Sequence, residues 1–469
     1  MQKKLSLFSA VSTGVGMIIA TSCFISLASG ASAVGVTFIF AIILTCLINM
    51  TAAGSIAELN AIMPNLTGGL AQYLLAGVGP LVTIVTMVGG YIISNIFAAP
   101  AEGAMFANVM CEFIPLHIPP EVYSVLLTII LVIINIRGVN MSTALQEIVA
   151  TFCMVSLFVL GIIGAVKGGT GAVVHQPHVL SAKWSDVLPL TATAFWLVIG
   201  SEFIVPLGKD MGKPKKNVPL SMFLSLAIMC VIQVLMVIGF ANYTPWNTLA
   251  ASNSPHTLYA SNMLGTVGHY WMIPVAIFAA VSTLNAIIGC VSEVCCGMAK
   301  IGLLPAIFQK NNIHGSPYVV ILMMGGFTIL IEATGISSNN AVQFLILTSS
   351  LFWMLTYVVD HIDVMIMRHK MKNVPRSFRN PLYPLFQIFG IVGTIYMMIH
   401  ISTDPQEKFR IYMLFLASTV LLIIYAFFWT RSRLKIPLLK GVGVRKVMAM
   451  ENPMYYYVRK REKKEMQKK

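Results

Sequence analysis

Long apolar runs, and neither the alternation of a half-buried strand nor the narrow stripe of a soluble helix, set the rhythm of this chain. Runs of about 20 apolar residues, the length that crosses a bilayer as a helix, recur at roughly 7–31, 34–57, 80–111, 121–136, 143–166, 187–208, 218–242, 269–298, 317–335, 340–362, 384–402 and 409–430. The pattern predicts an all-α membrane protein with twelve transmembrane helices. Composition agrees, with 57% hydrophobic and 10% charged residues, too apolar for a chain dissolved in water.

The net charge of +14 would suit nucleic acid, but its distribution does not. With a cytoplasmic amino terminus, only Lys167, Lys183, Lys408 and Arg410 of the 31 Lys and Arg fall on the far side. That asymmetry is the positive-inside rule; it predicts a multi-pass protein of the cytoplasmic membrane with both termini cytoplasmic, and no nucleic-acid partner. Lys3-Lys4, an apolar run and Ala31-Ser32-Ala33 imitate a signal peptide, but glycine and serine interrupt the run and further spans follow. The eight cysteines form no Cys-x-x-Cys and read as small apolar residues, so no metal or cofactor is expected.

The stretch from Phe195 to Pro219 stands out, because Gly200-Ser201-Glu202 puts a carboxylate and a flexible glycine inside a span. An ionisable group at mid-membrane costs about 2.5–3.5 kcal/mol on insertion scales and is a functional candidate by default. The first span is rich in small residues, Gly14-Val15-Gly16 through Ala20-Thr21-Ser22-Cys23, which suits either close helix packing or an unwound turn whose backbone holds a solute. After span 2 come Ala57-Glu58-Leu59, Met63-Pro64 and Thr67-Gly68-Gly69, in a connection from Glu58 to Gly79 that lacks Lys and Arg and reads as a short amphipathic or re-entrant piece.

These motifs, with Asn217-Val218-Pro219 after span 6, Met298 to Pro305 after span 8, and Pro375-Arg376-Ser377-Phe378-Arg379 and Pro381-Leu382-Tyr383-Pro384 before span 11, resemble the amino acid/polyamine/organocation superfamily of transporters. The resemblance implies a LeuT-like 5+5 inverted repeat with helices 1 and 6 broken around the substrate. On that basis 1–166 forms the first repeat, 187–362 the second, 384–430 spans 11 and 12, and 431–469 a basic cytoplasmic tail.

Trp196 and Glu202 are spaced as in the arginine/agmatine and putrescine/ornithine exchangers, which implies a gating Trp and a Glu in substrate binding or proton coupling. An indole face covers an organic cation and a carboxylate neutralises it; the plainer alternative makes Trp196 a lipid-facing aromatic and Glu202 a packing partner. Asn95 aligns with a site-lining Asn of the arginine/agmatine exchanger, although helix-to-helix bonding explains it equally. Glu102, seven residues on and so on the same helical face, either offers a second carboxylate or, the favoured expectation, approaches the outer boundary. Amino-acid-binding relatives carry Gly-Ser-Gly where this chain has Ala20-Thr21-Ser22, which implies either a less open turn or a substrate whose acid end is handled differently, with the Thr21 and Ser22 hydroxyls able to compensate. The position of a coupling lysine in proton-driven relatives falls on Cys153, which argues against a lysine-centred mechanism; sodium-coupled relatives use hydroxyls at positions matching Ser282 and Thr283. Glu293 is either a second coupling carboxylate or a residue near the cytoplasmic end. Glu147, Glu332, Asp360 and Asp363 are expected near span ends, in water.

The residues thus point to a secondary transporter of an amino acid or amine derivative working by alternating access, most simply an exchanger. A proton- or sodium-coupled symporter of neutral amino acids is the alternative, and a non-transporting nutrient sensor is a third reading. No catalytic motif points to an enzyme. The basic tail suits the anionic inner leaflet, and the oligomeric state, a homodimer included, stays open.

Overall fold

The computed structural model describes residues 5–63, 70–114, 118–138, 143–335, 338–372 and 376–451. Pro64, Thr67-Gly68-Gly69, Pro375 and the tail beyond residue 451 lie outside them. The described residues form helices, with two isolated bridges and no strand among them. The helices are α1 (Leu7–Ile18), α2 (Cys23–Val34), α3 (Phe38–Ile62), α4 (Leu70–Gly77), α5 (Pro80–Phe113), α6 (Pro120–Ile136) and α7 (Thr143–Ala165). A broken segment, Trp184–Val205, is followed by α8 (Pro214–Tyr243), α9 (Pro255–Lys300), α10 (Tyr318–Glu332), α11 (Asn339–Lys370), α12 (Leu385–Ile399) and α13 (Pro405–Trp429). Among the described residues, eight of these segments are long and apolar enough to cross a membrane, and the bent pair α1 and α2 passes as a ninth. The shorter α6, α10 and α12 are also apolar, and each of these segments overlaps one of the hydrophobic stretches of the sequence, although α9 begins well before its stretch and α11 runs past the end of its own.

Local chemistry explains where helices start and break. Ser6 accepts from the Ser9 N–H and Ser338 from the Ala341 N–H, while Asp404 accepts from Gln406 with Pro405 at the first helical position. The α1/α2 pair bends by 67° across residues 19–22. In the Trp184–Val205 segment the helix stops at Val198, Ile199 is extended, and Gly200 takes a left-handed φ of 98° before a 3-10 helix from Ser201 to Asp210. A residue with a side chain adopts that conformation only at a cost. A π-helical turn at Val88–Ile93 interrupts α5 where Gly90 lies against Thr356 of α11; a Cβ on Gly90 would sit 1.8 Å from the threonine hydroxyl.

The core is built by α1, α3 and α7 on α8, by α5 between α9 and α11, and by α6 against α10. On the periphery, α13 has only 17% of its apolar window buried and presents Phe409, Leu416, Leu421 and Phe428 outward, as a lipid-facing helix does.

Several charged residues lie elsewhere than the hydropathy pattern predicts. Glu58 is no part of a connection: it is buried near the end of α3, accepting from Arg368 Nε and Nη2 (2.7 and 2.6 Å), from Arg376 Nη1 (2.5 Å) and from the Asn380 N–H (2.9 Å). Asp360 and Asp363, expected in water, are buried because α11 runs ten and seven residues beyond them before its end at Lys370. Glu332 ends α10 but turns inward, where its carboxylate accepts from the Thr128 hydroxyl at 2.9 and 3.0 Å. Glu147 is half-buried and accepts from Ser9 (2.9 Å). The start of the tail also departs from a simple lipid anchor. Leu438 C=O accepts from the Leu81 N–H (3.1 Å) and the Val442 N–H donates to Leu75 C=O (2.9 Å), so residues 438–442 pack on the α4/α5 junction.

Candidate functional site

The two breaks face one another, and between them lies an open pocket with about 560 Å³ of empty space, part of it continuous with the exterior. From the first break come Met17, Ile18 and Ala20, and from the second Trp196, Ile199, Gly200 and Phe203. Asn95 of α5, Thr283, Ala286, Ile287 and Cys290 of α9, and Trp353 of α11 complete the wall. Two half-helices, α1 and the turn Trp196–Val198, end here, so the negative ends of their dipoles lie at the pocket.

Hydrogen bonds fix the wall. Trp196 Nε1 donates to Ser22 Oγ (2.8 Å), linking the two broken segments, and Thr283 Oγ1 donates to the carbonyl of Ile19 (3.0 Å). Asn95 Nδ2 donates to Tyr91 C=O (2.9 Å) and to Ser94 Oγ (3.4 Å), both within its own helix. Asn49 Nδ2 of α3 donates to Val198 C=O (2.8 Å), satisfying a carbonyl that the break releases.

Glu202 is buried but does not line the pocket. It sits behind Trp353, whose Nε1 donates to Oε1 at 2.7 Å, while Tyr357 donates to both carboxylate oxygens (3.1 and 3.0 Å) and Tyr91 to Oε1 at 3.4 Å. Phe203 packs edge-on to both Tyr91 and Trp353, and Trp196 stands edge-to-face with Trp353 at 6.5 Å. One carboxylate therefore orients an aromatic cluster, and part of that cluster is the pocket wall.

Glu102 does not approach the outer boundary, the favoured expectation. It is buried, and its two oxygens accept from the backbone N–H groups of Thr21 (2.9 Å) and Ser22 (3.1 Å) at the start of α2. Neither Thr21 nor Ser22 lines the pocket; Thr21 Oγ1 donates to Ala276 C=O (3.1 Å). Ser201 is buried next to the glycine break without reaching the pocket. Cys153 is buried between α7 and α9, where its thiol points at Val275 C=O (3.7 Å). Ser282 is half-buried beside Thr283 and outside the pocket wall, and Glu293 is exposed. Among the described residues no group of three or more His, Cys, Asp or Glu could hold a metal ion.

Of the residues picked from sequence, the structure gathers Ala20, Asn95, Trp196, Gly200 and Thr283 around one pocket. Sequence reasoning missed Trp353, Tyr357, Tyr91 and Phe203. Tyr91 lies four residues before Asn95, so helical spacing alone could have drawn it in; nothing local marks the α11 aromatics.

A family model described as amino acid permease matches residues 5–429. A methylthioribose transporter of Bacillus subtilis is 23% identical over 420 residues, covering 83% of this chain and 86% of the relative. A branched-chain amino acid permease of the same organism is 22% identical over 471 residues, covering 93% and 95%. A solved manganese transporter from Eremococcus coleocola shares the fold with a TM-score of 0.58 at 12% identity, over 91% of this chain and 95% of that one. The chain belongs to the amino acid permease family, and is a multi-pass membrane transporter of small solutes.

Proposed function

We propose that this protein carries an amino acid or amine derivative across the cytoplasmic membrane by alternating access, exchanging it for a related solute, in the manner of an antiporter of amino acids or polyamines. The observation that carries the reading is the pocket itself. It lies between two broken helices, with carbonyl-bearing helix ends, two indoles and Phe203 on its wall and no Lys, Arg or His among its lining residues. Helix C-termini favour positive groups, and aromatic faces attract an ammonium by about 0.5–2 kcal/mol. The relatives are named for solutes as different as branched-chain amino acids and methylthioribose, so membership of the family leaves the solute class broad.

In this reading twelve spans cross the bilayer with both termini cytoplasmic, spans 1–5 and 6–10 forming inverted repeats, as the sorting of Lys and Arg supports. Rocking of one repeat against the other opens the pocket to each side in turn. Trp196, bonded to Ser22 across the breaks, is placed to change with that motion, and Glu202 positions Trp353.

The test is counterflow in liposomes. Labelled amines and amino acids are offered to vesicles preloaded with candidate solutes, with and without sodium and a pH gradient. Exchange predicts uptake that needs internal solute and ignores sodium. Uptake driven by a gradient into empty vesicles overturns exchange in favour of symport; if the gradient is sodium, the Thr283 hydroxyl at the Ile19 carbonyl becomes the place to mutate.

A further inference from the structure

A carboxylate held in a membrane site needs either a basic side chain or a helix N-terminus with free N–H groups. The pocket wall offers no Lys, Arg or His, which leaves the two half-helix N-termini that follow the breaks. Each has one of the protein's own carboxylates beside it. At α2, Glu102 takes the Thr21 and Ser22 N–H groups, one on each oxygen. At the second break, Glu202 stands in the first turn of the Ser201–Asp210 helix, where its carboxylate accepts from the indole and phenol groups.

The remaining donors are spoken for as well. Asn95, Trp196, Thr283 and Trp353, the lining side chains with an N–H or O–H to give, each donate within the protein. What the wall presents is apolar and aromatic, with the C-terminal ends of α1 and of the Trp196–Val198 turn beside it. A solute carboxylate would meet occupied side-chain donors and two internal carboxyl groups, with no counter-charge in the pocket wall.

Resting on the transporter reading above, we propose that Glu102 is a specificity-determining residue, a built-in carboxylate that fills the anion position of α2, so that the transported solute is an amine bearing no carboxylate. The amine's positive group lies toward the C-terminal ends of the broken helices, and its apolar part lies among Trp196, Phe203 and Trp353. Glu102 acts through α2 and does not itself line the pocket.

The experiment compares each of three amines with its parent amino acid on the purified, full-length protein: cadaverine with lysine, isoamylamine with leucine, and tryptamine with tryptophan. Ligand-dependent thermal stabilisation gives affinity and counterflow gives transport. For at least one pair the amine is expected to bind at least about tenfold more tightly than its parent. The methyl ester of that parent, uncharged at the acid end, should bind closer to the amine. In Glu102→Ala, which frees the Thr21 and Ser22 N–H groups, the preference should shrink or invert through a gain for the amino acid. If at least one amino acid binds wild-type protein and no amine outbinds its parent, the inference is overturned while the transporter reading stays intact. Silence to every amine, amino acid and ester overturns the amine reading and the inference with it. If Glu102→Ala does not fold, the wild-type comparison of amine, ester and acid still decides.

Discussion

Glu202 illustrates what a single residue discloses and what it hides. A carboxylate within an apolar run is legible in the sequence because the cost of burying it demands a reason, and the glycine two residues before it marked where the backbone could open. Its partners Tyr91, Trp353 and Tyr357 lie more than a hundred positions away, in stretches that read as ordinary apolar helix. Glu102 was misjudged for the same reason: its acceptor role exists only because the α1/α2 bend brings two N–H groups to it. At this scale Glu202→Ala should destabilise the protein by about 1–3 kcal/mol, since it strands buried indole and phenol donors. Glu202→Gln, which still accepts with one oxygen, should cost less. Unfolding followed in detergent checks the order; an alanine variant as stable as wild type would mean that water replaces the carboxylate and that Trp353 is held by packing alone.

The two broken helices reach similar shapes by different chemistry. The second break is written in the sequence, because Gly200 has a φ of 98° that other residues adopt only under strain. The first has no glycine at Ala20-Thr21-Ser22, and its small residues left packing and unwinding equally open; the break is completed by Glu102 from α5. Connections were harder to read than spans, since hydropathy ends a helix where charge begins. Glu58 and Asp363 are charged yet buried inside α3 and α11. Gly200→Ala tests the glycine argument. A Cβ there would lie 3.4 Å from Met17 C=O, an ordinary contact, so the cost is backbone strain of about 1–2 kcal/mol rather than a clash. Uptake should fall well below that of Ser201→Ala, the neighbouring control. Equal uptake in the two variants would show that the break tolerates a side chain and that its left-handed turn is not required for the cycle.

Across the whole molecule, ties between distant segments hold one end of the bundle together. Glu58 joins α3 to Arg368 on α11 and to Arg376 and Asn380 in the connection to α12, four bonds on one buried carboxylate. Glu58→Gln would leave two guanidinium groups without their counter-charge, and a loss of about 3–5 kcal/mol is expected from unfolding in detergent. The tail adds a second tie of a kind that composition conceals. Its basic residues point to lipid headgroups, yet its backbone pairs with Leu75 and Leu81, and Lys370 Nζ donates to Gly77 C=O beside it (2.8 Å). The fit is close at Gly441, where a Cβ would come within 2.2 Å of Ala76 C=O and 2.5 Å of Gly77 C=O. Gly441→Val should therefore push the tail off the α4/α5 junction, losing two backbone bonds worth about 1–3 kcal/mol together. The measurement belongs in a neutral detergent, where no anionic leaflet exists. A lipid anchor has nothing to lose there, so an unchanged melting temperature would return the tail to the membrane surface, whereas a lowered one makes it part of the folded bundle.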